Sequence, residues 1–214
     1  ELWRMEVESG VSTATVHRIA LENGLHFPPD PGASEQSTIG GNIATNAGGP
    51  HAFKYGVTGS WVTGVEAVVP PGEILVSGGP VRKDVAGLDL THLMIGSEGT
   101  LGFISEITYR TVPDHPHKAS ALILFDDLGT ACRAVTVLKS QPVDAVELCD
   151  RAGLRSVAGK PGLPESLEGL GPDGAALLVE TRAADAAALQ DQVAAIEAAL
   201  DGNPTHEPIR FSTD

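Results

Sequence analysis

A chain of 214 residues with 42% hydrophobic content can bury a sizeable core, as one large domain or two modest ones, which excludes a disordered polymer. Its formal charge of −14 excludes the basic face with which a nucleic-acid binder neutralises phosphates. No run approaches the roughly 18 apolar residues that a membrane-spanning helix needs.

The chain opens on Glu1-Leu2-Trp3, without an initiating Met and without the charged and apolar regions of a secretory signal, as an internal segment would. Cys132 and Cys149 belong to no CxxC motif and are expected as buried, reduced thiols of a cytoplasmic protein. In chain order, Ser12–Asn23 predicts a helix, with Ser12 or Thr13 as cap, Val16, Ile19 and Ala20 on one face, and Gly24 as stop. The prolines of Phe27–Gly32 remove backbone donors and predict a stiff, extended loop. The glycine-rich stretches Gly40–Gly49 and Lys54–Gly64 follow.

Trp61–Val69 predicts a strand, paired with Glu73–Ser77 across the Pro70-Pro71-Gly72 turn. Leu90–Met94 suits a short helix or buried turn, and Phe103–Val112 a strand carrying Ile104, Ile107 and Tyr109. The character changes after Pro113-Asp114-His115-Pro116-His117, which places a boundary near residue 115 between 1–115 and 116–214. Beyond it come strands at Ala121–Phe125, Ala145–Cys149 and Ala175–Thr181. Helices are expected at Gly129–Lys139, near Ala152–Ala158, and at Ala183–Leu200. This β-α-β-α-β-α order predicts a ferredoxin-like or similar α+β layer.

The stretch 29–49 holds the chemistry. Gly and Asn tolerate positive φ, so the run can fold into tight, irregular turns. Its bare backbone N–H groups can then approach an anion. Thr38, Asn42, Thr45 and Asn46 add side-chain donors and acceptors that do not depend on pH. From Gln36 to Val65 there is no Asp or Glu, where the chain's 28 acids in 214 residues predict about four. A site for a pyrophosphate must exclude carboxylates, because like charges repel strongly at low dielectric. A plain glycine-rich connector remains the alternative, since neither GxxxxGK[ST] nor a GxGxxG between strand and helix is present. A second cluster, Gly96-Ser97-Glu98-Gly99-Thr100-Leu101-Gly102, either converges with the first on one ligand or forms a hairpin turn.

The motifs Pro28-Pro29-Asp30-Pro31, Ser37-Thr38-Ile39-Gly40-Gly41-Asn42-Ile43-Ala44-Thr45-Asn46-Ala47-Gly48-Gly49, Lys54-Tyr55-Gly56 and Ile95–Gly102 stand in an order and spacing that resemble the FAD-linked oxidase family. The resemblance is nearest to glycolate oxidase flavoprotein subunits and to FAD-linked D-lactate and D-2-hydroxyglutarate dehydrogenases. It implies an α+β fold: a PCMH-type FAD-binding subdomain over 1–115, followed by the N-terminal part of a ferredoxin-like cap over 116–214. It implies FAD as cofactor, with Pro29, Asp30, Pro31, Ser34 and Ser37 along the adenosine-diphosphate moiety. Thr38, Gly40, Gly41 and Asn42 would then run beside the pyrophosphate and isoalloxazine. Ala44, Thr45, Asn46, Ala47 and Gly48 would continue that wall, and Glu98, Gly99, Thr100, Gly102 and Ile104 would close it.

The family's upstream Arg-Gly-Gly-Gly-Thr-Ser-like loop and its Asp-Gly-Asn-Leu-His element have no counterpart here. The Arg82–Leu90 stretch departs from the family's Lys-Asn-Val-Thr-Gly-Tyr-Asp-Leu pattern, lacking its Thr and Tyr. The implied parent activity is oxidation of a small 2-hydroxy acid, with an unassigned electron acceptor, in the cytoplasm or peripheral to a membrane. No catalytic base and no metal site is assigned. His51 reads as a surface turn histidine, and Arg151 and Arg155 as solvent-facing. A metal pair at His115 and His117 lacks a third ligand. The isolated chain is expected to lack 2-hydroxy-acid turnover and to expose surfaces that favour homo-oligomers. The alternative is a non-catalytic remnant that keeps the fold and binds FAD weakly or not at all.

Overall fold

Apolar residues two apart share a face of a strand, and residues three or four apart share a face of a helix. In the computed structural model, which describes residues 3–81, 83–157, 159–160, 163–164 and 166–213, these two spacings build two units, Glu1–Asp114 and His115–Asp214. Glu1, Leu2, Arg82 and Ala158, which entered the sequence reading, lie outside the described residues.

The first unit runs β1 (Arg4–Glu8), α1 (Thr13–Glu22), β2 (Leu25–His26), α2 (Ile39–Ala44), α3 (Ala52–Tyr55) and a 3-10 turn (Thr58–Trp61), then continues through β3 (Val62–Val69), β4 (Glu73–Gly78), α4 (Leu90–Met94), β5 (Phe103–Arg110) and β6 (Val112–Pro113). Four strands form an antiparallel sheet in the order β1-β5-β3-β4. β2 pairs with β6 apart from it. Val65, Ala67, Ile107 and Tyr109 point from the sheet onto Val16, Ala20, Phe27, Ile39 and Ile43. The expected β3–β4 hairpin is present, although Trp61 belongs to the 3-10 turn and the strand starts at Val62.

Ile104 is out of step with Ile107 and Tyr109 in a strict two-residue alternation. A bulge absorbs the difference. Glu66 pairs with Glu106 but Ala67 pairs with Ile104, which leaves Ser105 as the extra residue. Ile104 and Ile107 are consequently both buried.

Two expectations for this unit change. Ser12 does cap α1, accepting from the Thr15 amide, and Val16 and Ala20 are buried. Ile19, however, faces outward at 39% exposure. The glycine-rich run is not all irregular turn: Ile39–Ala44 is helical, capped by Thr38. Glycine disfavours a helix by about 1 kcal/mol per residue against alanine. Burial of Ile39 and Ile43, four residues apart and both 0% exposed, offsets it, at about 1.5–3 kcal/mol per large apolar side chain.

The second unit runs β7 (His117–Phe125), α5 (Leu128–Leu138), β8 (Ala145–Cys149), α6 (Arg151–Val157), α7 (Ser166–Gly169), β9 (Ala175–Ala183) and α8 (Ala186–Leu200). Antiparallel β9 lies between β7 and β8, the split β-α-β arrangement of ferredoxin-like layers. Asp127 and Asp185 cap α5 and α8 through the Thr130 and Ala188 amides. β9 runs through Ala183, so α8 starts later than expected. α6 and α7 cover part of the other face, where Leu154 and Leu167 meet Leu124 and Ala176.

Beyond α8 the chain returns along the free edge of β7. Ser120 and Ser212 exchange two backbone hydrogen bonds of 2.8 Å, and the His206 amide donates to the Leu124 carbonyl at 2.7 Å. Cys132 is exposed rather than buried, because it lies on the solvent side of α5, and Cys149 is half-buried. Burial, and then the Glu147 and Asp150 carboxylates, push the Cys149 thiol up. Arg151 is also half-buried, donating to the Leu167 carbonyl at 3.3 Å, whereas Arg155 is exposed as expected.

Candidate cofactor site

Thr38 stands where the proline-rich loop enters α2. Its hydroxyl accepts from the Gly41 amide at 3.3 Å, and the amides of Ile39 and Gly40 donate to the Val11 and Ser9 carbonyls at 2.9 and 2.8 Å. These bonds press the start of α2 against the Ser9-Gly10 turn that follows β1. Gly40 permits the approach by having no Cβ; one placed there would stand 2.7 Å from the Ser9 Cβ.

The second glycine cluster comes to the same place. The amides of Gly96 and Glu98 donate to the carbonyls of Ile43 and Ala44 at 2.9 and 2.8 Å. The cluster links α4 to β5 and is therefore no hairpin turn. Its path needs left-handed backbone at Gly96, Glu98 and Gly99, with φ of 73°, 52° and 75°. For Glu98 this conformation is unfavourable.

Between the two clusters lies a cleft of about 380 Å³, in the range of small-ligand sites. Of the residues expected from the sequence, Thr38, Gly40, Gly41 and Ala44 line one side and Gly99, Gly102 and Ile104 the other. Ser9, Gly10 and Phe103 also line it, and sequence reasoning missed them. Ser9 and Gly10 follow a strand whose charged alternation concealed it. Phe103 was legible only as a strand residue, although it is 68% exposed. A Cβ on Gly10 or Gly99 would meet no atom within 4 Å, so the backbone there faces open space. Among the described residues, no acidic one lines the cleft. A second cleft of about 350 Å³, by Val62 and Ser77, carries Asp84 and Asp89 and is unsuited to a polyanion.

The remaining expected residues lie outside the cleft lining. Asn42 is 4% exposed, and its amide donates to the Thr13 hydroxyl at 2.6 Å. That hydroxyl also bonds the Ser37 hydroxyl at 2.7 Å, and the Ser34 carbonyl accepts from the Ala14 amide. The Thr45 hydroxyl donates to the Gly41 carbonyl at 3.0 Å. Asn46, at a φ of 49°, accepts from the Gly59 amide at 2.8 Å. The Ala47 carbonyl takes both the amide and the hydroxyl of Thr58, Gly48 packs near Val57 and Ala52, and Thr100 bonds the Ser97 carbonyl.

In the proline-rich loop, the Pro29 carbonyl accepts from His17 at 2.7 Å, and Pro31 is half-buried. Asp30 bonds His51 twice, through the His51 amide at 3.2 Å and through ring Nδ1. His51 is therefore no surface histidine. It is buried because Asp30 folds back onto it.

Residues 1–78 match a family model described as an FAD binding domain, and residues 114–214 match the FAD linked oxidases, C-terminal domain. The chain belongs to the FAD-linked oxidase family. It is 40% identical over 178 residues to glycolate oxidase subunit GlcD of Bacillus subtilis (strain 168), covering 81% of this chain and 37% of that relative. It is 38% identical to the D-lactate dehydrogenase of Anaerostipes hadrus, covering 77% and 36% of the two chains. To the D-2-hydroxyglutarate dehydrogenase of Stutzerimonas stutzeri (strain A1501) it is 36% identical, covering 75% and 35%.

The chain thus spans little more than a third of the length of these relatives. A solved structure of alkyldihydroxyacetonephosphate synthase superposes with a TM-score of 0.76 at 19% identity, covering 95% of this chain and 40% of that one. That likeness carries the fold, the α+β PCMH type. FAD is the family's cofactor, and the open, acid-free, glycine-lined cleft fits part of such an anion.

Proposed function

We propose that the first unit forms one wall of the FAD site of an oxidoreductase acting on a small 2-hydroxy acid of the glycolate or D-lactate kind. The observation that carries this is the meeting of the two glycine clusters, through the Gly96–Ile43 and Glu98–Ala44 hydrogen bonds, around a cleft with no acidic lining among the described residues. Bound there, FAD would supply hydride acceptance from the carbon that bears the hydroxyl. Gly10 and Gly99 leave room for close backbone approach. Thr38 lines the cleft while its hydroxyl holds the Gly41 amide, and Phe103 offers an apolar face.

The substrate class follows from the names of the similar proteins. Clamping a carboxylate calls for Arg, and accepting the hydroxyl proton calls for a base. Among the described residues none of the cleft-lining ones is Arg, Lys or His. This chain therefore contributes cofactor binding and leaves substrate chemistry to other groups.

Gly10→Asp tests the assignment, since a Cβ at this cleft-lining position would meet nothing within 4 Å and the substitution would bring a carboxylate to the cleft. FAD affinity, read by flavin fluorescence, should fall at least about tenfold with little change in Tm. Unchanged affinity would place FAD elsewhere. Glycolate or D-lactate should not reduce a dye acceptor with this chain alone, and clear turnover would contradict the limit to cofactor binding.

A further inference from the structure

We infer that Asp30 is a positioning residue rather than a cofactor ligand: with His51 it clasps the proline-rich loop onto the Gly48–His51 turn and so shapes the cofactor wall. The inference rests on the FAD reading only for its functional consequence. The clasp itself stands on geometry. Both Asp30 oxygens are engaged by one residue, Oδ1 by the His51 backbone amide and Oδ2 by ring Nδ1. Side-chain exposure is only 22% for Asp30 and 11% for His51, so the bonds are shielded from competing water and are stronger than surface ones.

Two further features show that the surroundings are built around the pair. A Cβ on Gly49 would collide with both the carbonyl and the carboxylate of Asp30, so glycine is what lets the two segments close. The His51 ring is packed edge-on against His26 at 5.8 Å and tilted against Tyr55 at 6.5 Å between ring centroids. From this anchored point the chain leads back to Ala47, Asn46 and the carbonyls of Ala44 and Ile43 that hold the second glycine cluster. A clasp at one end of that segment limits how far the cleft wall can wander. It would preorganise the wall for a ligand, lowering the ordering cost of binding.

The experiment uses the full chain and the variants Asp30→Ala, Asp30→Asn, His51→Leu and His51→Asn. In FAD-free protein, hydrogen exchange of amides 45–56 should quicken in Asp30→Ala and His51→Leu, while α1 and the sheet keep their protection. The FAD dissociation constant should rise about tenfold in each. In Asp30→Ala/His51→Leu it should rise no further than in Asp30→Ala, which already removes both bonds of the clasp. Asp30→Asn and His51→Asn, which can still pair with the intact partner, should recover most of the affinity.

Unchanged exchange in FAD-free Asp30→Ala would overturn the clasp. So would a loss of affinity in Asp30→Ala of which His51→Leu shares no part, since the ring bond would then position nothing. Failure of the unsubstituted chain to bind FAD would sink the cofactor reading, and the exchange data would still decide the clasp.

Discussion

Gly40 lies so close to Ser9 that a Cβ on it would stand 2.7 Å from the Ser9 Cβ and 3.1 Å from the Ser9 carbonyl oxygen. The same pair is joined by a 2.8 Å hydrogen bond from the Gly40 amide. Backbone would have to move to admit a methyl group. Gly40→Ala is therefore expected to lower stability by about 1–3 kcal/mol, the usual cost of overpacking. Urea unfolding measures it, and a change within error would mean that the turn yields freely.

Asn42 and Thr13 make a buried side-chain bond of 2.6 Å that ties α2 to α1. Asn42→Ala removes the donor and leaves a small cavity. The expected loss is about 1–3 kcal/mol. Because the Asn42 side chain points into the fold, FAD affinity at temperatures where the variant stays folded should change far less than in Gly10→Asp.

Tyr109 is 0% exposed, and its hydroxyl has no hydrogen-bond partner among the described residues. Its ring packs edge-on against Phe27 at 4.6 Å. Tyr109→Phe keeps the packing and removes an unmet polar group, so stability should be unchanged or rise by up to about 1–3 kcal/mol. Burial pushes the phenol's pKa far up. Above the unfolded value of about 10, the unfolded chain loses this proton while the folded chain keeps it, so stability falls as pH rises. Denaturant melts between pH 9 and 11 should show a smaller alkaline loss in Tyr109→Phe.

Asp127 caps α5, accepting from the Thr130 hydroxyl at 2.6 Å and its amide at 2.8 Å. The hydroxyl bond first, and the amide bond next, hold its carboxyl below the usual range. The cap's contribution is present above the unfolded value of about 3.9 and is lost as pH falls through the lowered folded value. Asp127→Asn preserves a cap and should flatten that part of the acid limb in thermal melts. An unaltered acid limb would show that other carboxylates dominate it.

Much of the fold could be read from local signals. The Pro70–Gly72 turn between two β-branched runs marks β3 and β4, and the short apolar stretch around Val146 forms a strand whose bounds are those expected, Ala145–Cys149. α2 escaped because glycine argues against a helix locally, while the burial of Ile39 and Ile43 that makes one is a tertiary fact. At the site, the glycines and Thr38 that line the cleft stood out through bare backbone and missing acids. Thr45, Asn46 and Asn42 looked equally suited to a ligand, yet each is engaged by the fold itself. His51 reads as a surface turn histidine and is instead buried: its partner Asp30 sits 21 residues earlier and no periodicity links them.

The central claim is that the acid-free cleft between the glycine clusters is where this chain meets FAD. The most direct measurement is a calorimetric titration of the purified chain with FAD, alongside Gly10→Asp. Saturable binding at one FAD per chain, weakened at least about tenfold in Gly10→Asp, is the predicted result. No heat of binding from a folded chain, or equal affinity in both proteins, would contradict it.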